Sequence, residues 1–293
     1  MERFICQSGQ DHPQLPGGIA ELLGISQPEM LHLSPDKIAA AALAAGRGGY
    51  VRLPFCSTLA AEGLGAPTVL TVAGAMAGQP PFSSASEVPA FAVLSPRMRA
   101  MLSAVDLLSA GGERVIFQVD GPLTILAALL PMPKLFSVLR KPEGSALLAR
   151  AAAWAAEWAA MAANRGAVIL SYADPVAALD ILGERTFMRH YRECCLGLLE
   201  RLRTDNPGTV VHLCGKMTQS LLDTESCTLE HWRAPLGCRT YGQTLEAYRS
   251  TPGEKRLVGH WCLNLVDSPR VELALITWKE RKNNARQETG TAT

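Results

Sequence analysis

The stretch "VVHLCGK", residues 210–216, ends an apolar run on two side chains that bind metals well, His212 and Cys214, one residue apart. On a strand, residues two apart point to the same side, so both can face whatever lies beyond the strand end. "GHWC" at 259–262 repeats the spacing with His260 and Cys262. Zinc accepts imidazole nitrogen and thiolate sulfur, and a catalytic zinc keeps three protein ligands and one open position. From the residues alone the third ligand is Cys262 or His260, with Cys227 and Cys238 competing for the place. A zinc that carries thiolates is suited to holding another thiolate, and a metal-bound thiol is deprotonated at neutral pH. The expected chemistry is therefore alkyl transfer to sulfur, because hydrolytic sites more often show histidine and carboxylate ligands around an activated water. A buried cysteine beside a hydrogen-bonded histidine is the simpler account of one such pair. Two pairs, both closing apolar strands, bring the metal reading forward.

Carboxylates recur at similar places. In "YADP", Asp174 ends a strand that Pro175 stops, and it reads as a mouth carboxylate or as a turn or N-cap residue. In "QVDGPLT", Gly121 and Pro122 make a turn, and Asp120 is a mouth residue or a turn residue. "LPFCSTLAAEGLGA" contributes Cys56, read as a buried thiol, and Glu62, which either enters the mouth or solvates a helix. Cys194 and Cys195 read as buried positions on a helix, and Trp154 and Trp158, at i and i+4, as core.

The elements that must position these residues alternate along the chain. Strands are expected at 48–56, 114–122, 167–175, 208–215 and 255–264, with a weaker one near 225–231. Helices are expected at 97–112, from 123 to 165 with breaks near Pro131 and Pro133, and at 184–203, 216–224 and 242–251. A last helix is expected at 268–281, with Ser268 as N-cap and Pro269 at its first position. Such alternation means a parallel sheet covered by helices, either a closed (β/α)8 barrel or an open doubly wound sheet. No G-x-G-x-x-G follows a strand, which weakens a dinucleotide site. Ligand-type residues end strand after strand, and in a barrel those ends converge on one mouth. The barrel is preferred.

Composition bounds the rest. The 293 residues, 48% hydrophobic and 19% charged with a net charge of +1, suit a globular domain and give no basic surface for nucleic acid or anionic membrane. The N-terminus lacks the apolar region of a secretory signal, and Arg150 and Glu157 interrupt the most apolar helix, so neither export nor membrane spanning is expected. Eight cysteines in such a chain read as reduced thiols and a cytoplasmic location. Residues 1–18 and 282–293 are expected to be flexible, flanking one domain over 19–281.

Together "LPFCSTLAAEGLGAP", "FQVDGPLTILAALL", "AVILSYADPVAALDILGERTF" and "VVHLCGKMTQSLLD" resemble the uroporphyrinogen decarboxylase superfamily, in particular its cobalamin-dependent methyltransferase branch. They cover about residues 45–270 in the family's order. "HLCG" is the specific piece, similar to the branch's His-x-Cys zinc motif, which a distant Cys completes. The resemblance implies a (β/α)8 TIM-type barrel and a zinc ion held by His212, Cys214 and Cys262. It also implies a small-molecule thiol such as coenzyme M as acceptor, and a methylated corrinoid, held by a separate corrinoid protein, as donor. Asp174 and Glu62 match acidic mouth positions and are the catalytic candidates. Asp120 and Gly121 are the cofactor-binding candidates. Cys262 follows Cys214 sooner than the family pattern, so an atypical or shortened C-terminal closure is expected. The decarboxylases' R-Q-A-G-R motif is absent, which argues against a poly-carboxylate substrate. A decarboxylase or lyase using Asp174, and a non-catalytic partner of a corrinoid protein, are the alternatives.

Overall fold

Short runs of β-branched and aliphatic residues alternating with Ala- and Leu-rich segments build a sheet with helices packed against it. The computed structural model describes residues 15–253 and 257–279. The expectations for residues 1–14 and 280–293 lie outside these. The strands are β1 (Tyr50–Leu53), β2 (Thr68–Thr71), β3 (Gly74–Ala77), β4 (Arg114–Asp120), β5 (Ala167–Ala173), β6 (Val210–Leu213), β7 (Cys227–Arg233), β8 (Leu257–Gly259) and β9 (Glu272–Trp278). Seven form one sheet in the order β1-β4-β5-β6-β8-β9-β7, and β2 and β3 form a separate hairpin. From β1 to β8 every pairing is parallel, whereas β8–β9 and β9–β7 are antiparallel.

The principal helices are α1 (Pro35–Ala44), α2 (Pro96–Ala110), α3 (Pro122–Ala127), α4 (Pro142–Ala163), α5 (Arg192–Asp205), α6 (Gly215–Asp223) and α7 (Tyr241–Ser250). The first two open on a serine N-cap followed by proline, Ser34–Pro35 and Ser95–Pro96, and each serine oxygen accepts an N–H of the first turn. The helix α4 is core, as its tryptophans suggested: Trp154 and Trp158 are both buried, Trp154 Nε1 donates to the Ala60 carbonyl at 2.7 Å, and Trp158 meets Phe117 edge-on.

Alternation along each strand splits the sheet into two faces. Val115, Phe117 and Val119 of β4, Leu170 and Tyr172 of β5, and Val211 and Leu213 of β6 face the large helical core. Ile116, Ile169, Val210 and Val258 face a second, smaller cluster. In a closed barrel this second face lines the interior. Here α7 covers part of it, placing Tyr241, Leu245 and Tyr248 against Tyr50, Ile116, Ile169 and Val210. No pairing joins the β1 and β7 edges among the described residues. The mixed, mainly parallel α/β class and the atypical C-terminal closure are as expected, and a complete eight-strand ring is not formed among the described residues.

Three expected elements differ. The segment read as a final helix is the strand β9, paired with β8 on one side and β7 on the other. Ser268–Pro269 belongs to a loop, where the Ser268 carbonyl accepts Tyr241 N–H at 2.9 Å. The strand expected over 255–264 ends early, at Gly259 of β8, because His260 turns the chain out at φ 72°. The helix expected over 184–203 is interrupted at Phe187–Tyr191 by a π-turn, which precedes α5.

Candidate functional site

Sheet register stacks the second face into rows. Arg52, Ile116, Ile169 and Val210 stand abreast, and above them stand Gln118, Ser171, His212 and Val258. Asp120 is level with Ala173 in the next row, and Cys214 and His260 lie two residues beyond His212 and Val258 along their chains. Polar groups thus gather on the inner face toward the C-terminal strand ends, where barrel proteins keep their chemistry.

His212 is 1% exposed. Its Nε2 lies 2.9 Å from Tyr241 Oη, and its Nδ1 has no hydrogen-bond partner among the described residues. Burial, reinforced by the nearby Arg52 charge, pushes its pKa down to about 3. The imidazole is therefore neutral, the form that ligates metals. Cys214 N–H donates to the Tyr172 carbonyl at 2.9 Å, extending the β5–β6 ladder, and Cys214 is the N-cap residue of α6. Cys262 opens the 3-10 turn Leu263–Leu265, its Sγ accepting Asn264 N–H at 3.4 Å. Arg52 joins these pieces: its guanidinium donates to Asn264 Oδ1, and while burial lowers its pKa, the proximity of Cys262 and Cys214 pushes the other way. Nitrogen and two sulfurs fit zinc in kind, and His212 Nδ1 is a buried, unpartnered donor. Yet no three His, Cys, Asp or Glu side chains among the described residues are gathered to hold a metal ion, and a guanidinium stands in the neighbourhood of both thiols.

The competing thiols sort by surroundings. Cys227 is buried on β7, and burial pushes its pKa up to about 12. The half-buried Cys238 points its thiol at the Gln243 carbonyl, 3.7 Å away. His260 is buried, and its N–H donates to Thr218 Oγ1 at 3.1 Å.

Asp174 is fully buried, and its carboxylate accepts four hydrogen bonds: from Leu123 N–H (3.0 Å), Thr124 N–H (2.8 Å), Thr124 Oγ1 (2.7 Å) and Tyr191 Oη (2.6 Å). The first two are orphan donors in the opening turn of α3, so Asp174 caps that helix from another strand. Of its two sequence readings the structure favours the capping one, and the expected mouth carboxylate is an anchor. Gly121 has a related duty. A β-carbon there would overlap Asp174, so the glycine permits the close approach of the two segments. Glu62 is likewise engaged, paired with the buried Arg97 at 2.7 Å.

Asp120 differs. It is 5% exposed, its Oδ1 accepts from Gln118 Nε2 at 3.2 Å, and burial lifts its pKa to about 7. Because the folded pKa lies above the ordinary 3.8, its contribution to stability is full below about pH 4 and lost as pH rises through about 7. His212 has the opposite sign, its contribution being lost as pH falls from 6.5 toward about 3. Comparing urea unfolding of the chelator-treated wild type and Asp120→Asn isolates the carboxylate. Between roughly pH 5 and pH 8 the wild type should lose about 2–3 kcal/mol relative to the variant. A constant gap would show that Asp120 titrates normally.

Sequence reading missed Arg52, Gln118, Arg97, Tyr191 and Tyr241. For Arg52 and Gln118 the signal is a polar residue inside a buried strand run, on the same side as Tyr50 and Ile116. For the three helical residues no comparable local signal exists.

The fold is a mixed, mainly parallel α/β sheet of barrel type whose ring stays open among the described residues, with polar groups gathered on its inner face. A methyltransferase from Methanosarcina mazei has the same fold, with a TM-score of 0.61 at 19% identity, over 71% of this chain and 64% of that one. Two methylcobamide:CoM methyltransferases MtaA match in sequence. One, from Methanosarcina barkeri (strain Fusaro / DSM 804), is 28% identical over 237 residues, 73% of this chain; the other, from Methanosarcina barkeri, is 26% identical over 264 residues, 83% of this chain. The matches span 66% and 74% of those relatives' own length. The chain is thus similar in sequence to proteins named methylcobamide:CoM methyltransferase, and it spans just under two thirds of the length of the first of them. No protein-family model matches it. No described helix is long and apolar enough to cross a membrane.

Proposed function

We propose that the chain is a zinc-dependent methyltransferase that moves a methyl group from a methylated corrinoid, presented by a corrinoid protein, to a small thiol such as coenzyme M. The observation that carries this reading is the His212 imidazole. It is buried, neutral and anchored at Nε2 by Tyr241, with Nδ1 unpartnered beside a thiol-bearing strand end. His212 and Cys214 would hold the metal, and Cys262, which is not gathered with them among the described residues, would have to move in as the third ligand. Zinc, when bound, supplies a soft Lewis acid that keeps a substrate thiol deprotonated.

The remaining work falls to the chain. Tyr241 fixes the orientation of the imidazole, as partners of metal-ligating histidines do. Arg52 gives the mouth positive potential that draws an anionic thiolate. Asp120, poised to change protonation near neutrality, takes or returns the thiol proton. Asp174 and Glu62 act at one remove, by fixing α3 and the Arg97 side chain. In the transfer, a sulfur lone pair forms the S–CH3 bond, the Co–C bond breaks, and its electron pair stays on cobalt as Co(III) becomes Co(I).

The test incubates the zinc-supplemented chain with free methylcobalamin and a panel of thiols, following the corrinoid spectrum and the S-methyl product by mass spectrometry. Thiol-dependent demethylation is the expected result. A chain that binds corrinoid but turns over no thiol would be the non-catalytic partner, the reading that the open ring favours. The decarboxylase reading loses ground because the carboxylate it needs, Asp174, already meets four donors from its own chain.

A further inference from the structure

A second nucleophile lies beyond the end of β1, in a cluster that the proposed transfer touches only through the Glu62–Arg97 pair. Cys56 sits in the turn after β1 and is 3% exposed. Arg97 Nη2, from α2, donates to Cys56 Sγ at 3.0 Å and to Thr58 Oγ1 at 2.8 Å. The Thr58 hydroxyl in turn donates to Cys56 Sγ at 3.3 Å. The sulfur is thus the acceptor of two hydrogens, one of them from a cation. Arg97 is itself 3% exposed; Nη1 is held by Glu62, and Nε has no partner among the described residues. Cys56 also borders a cavity of about 430 Å³ between the β2–β3 hairpin, α3 and the loop after Asp174, with Phe55, Thr58, Thr71, Thr124 and Val176 on its walls. A void of that size admits a small organic molecule.

The other buried cysteines lack these features. Cys195 and Cys227 lie in the helical core, where burial drives their thiols up and leaves them inert. A cationic neighbour with access to a small-molecule space is the setting in which a cysteine reacts.

We propose that Cys56 is a thiol–disulfide exchange site for a small disulfide, RSSR, that enters this cavity. Cys56 Sγ attacks one sulfur of RSSR, the S–S bond breaks, and RS leaves with the bonding pair. The Cys56 proton ends on the departing sulfur, so that Cys56–SH + RSSR gives Cys56–S–S–R + RSH. Cys56 is oxidised to the disulfide level, and half of RSSR is reduced to thiol. The R group then fills the cavity beside Thr124, which holds Asp174. Excess thiol reverses the step. The proposal stands apart from the zinc chemistry, since none of its residues is a candidate ligand.

The test treats the reduced, full-length chain with bis(2-hydroxyethyl) disulfide at neutral pH and follows each cysteine by peptide mass spectrometry, with the half-buried Cys238 as the rate reference. Cys56 should acquire the hydroxyethylthio group at a rate comparable to Cys238 or faster, while Cys195 and Cys227 stay reduced. Arg97→Met should slow Cys56 by at least about tenfold and leave Cys238 unchanged, since the cation is what sets the sulfur's reactivity. Thr58→Val removes one of the two donors without touching the Arg97–Glu62 pair, and should slow Cys56 several-fold. That variant decides the matter if Arg97→Met does not fold. A Cys56 still reduced when Cys238 is fully modified, or one whose rate ignores both substitutions, overturns the proposal.

Discussion

Replacing Asp174 with alanine is expected to lower the free energy of unfolding by roughly 3–5 kcal/mol, the range seen when one side of a buried charged network is removed. The substitution strands four donors. Tyr191 Oη keeps Tyr172 Oη as a partner at 2.7 Å, but Leu123 N–H and Thr124 N–H lose the carboxylate that accepts them, so the first turn of α3 loses its cap. Asp174→Asn should cost less than alanine, because one amide oxygen still accepts while the NH2 group faces donors. Gly121→Ala should mimic part of the loss by pushing a methyl group into the same carboxylate. Urea unfolding of the three variants checks the order. An alanine variant within about 1 kcal/mol of wild type would mean that the cage contributes little net stability, as buried ionic clusters sometimes do.

That cage shows what a sequence can and cannot reveal. "YADP" marks a strand end with an acidic residue in the turn, and both facts hold. Whether the carboxylate faces substrate or its own chain depends on where α3 begins in space, 50 residues earlier. Strands β4, β5 and β6 were legible because long apolar runs bounded by Gly and Pro admit few other readings. β9 was not. "VELALITW" is dense enough in apolar residues to serve as helix or strand, and Ser-Pro before it imitates a helix start. Antiparallel pairing on both sides settles it as strand, and pairing is nonlocal. The open ring has a similar cause. Tyr241, Leu245 and Tyr248 form an apolar stripe at helical spacing, visible in the sequence, but nothing local says that it will lie on the face a barrel would enclose. The spacing of His212 and Cys214 leaves both within the electrostatic reach of Arg52. The end of β8 was not readable, because His260 takes a positive φ that no β-strand pattern announces.

Cys214→Ala is expected to reduce thiol methylation by roughly three orders of magnitude or more, with bound zinc falling from near one equivalent to a small fraction. A zinc with three protein ligands that loses one thiolate keeps two, too few for tight binding at neutral pH. Metal content is the sharper readout, since it does not depend on the corrinoid donor, on the identity of the thiol or on turnover. His212→Ala should behave alike, because the ring contributes the unpartnered Nδ1. Cys262→Ala and His260→Ala then divide the remaining choice. Loss of zinc in the first and retention in the second assigns the third position to Cys262, as proposed, and the reverse assigns it to His260. Arg52 shares the neighbourhood of both thiols, so a metal arriving there meets a resident cation. Arg52→Gln should therefore tighten zinc binding several-fold by removing the repulsion between like charges. Mass-spectrometric zinc determination on unchelated protein is the measurement. A Cys214→Ala protein that keeps its full equivalent of zinc would remove His-x-Cys from the metal site, and with it the chemistry proposed for this chain.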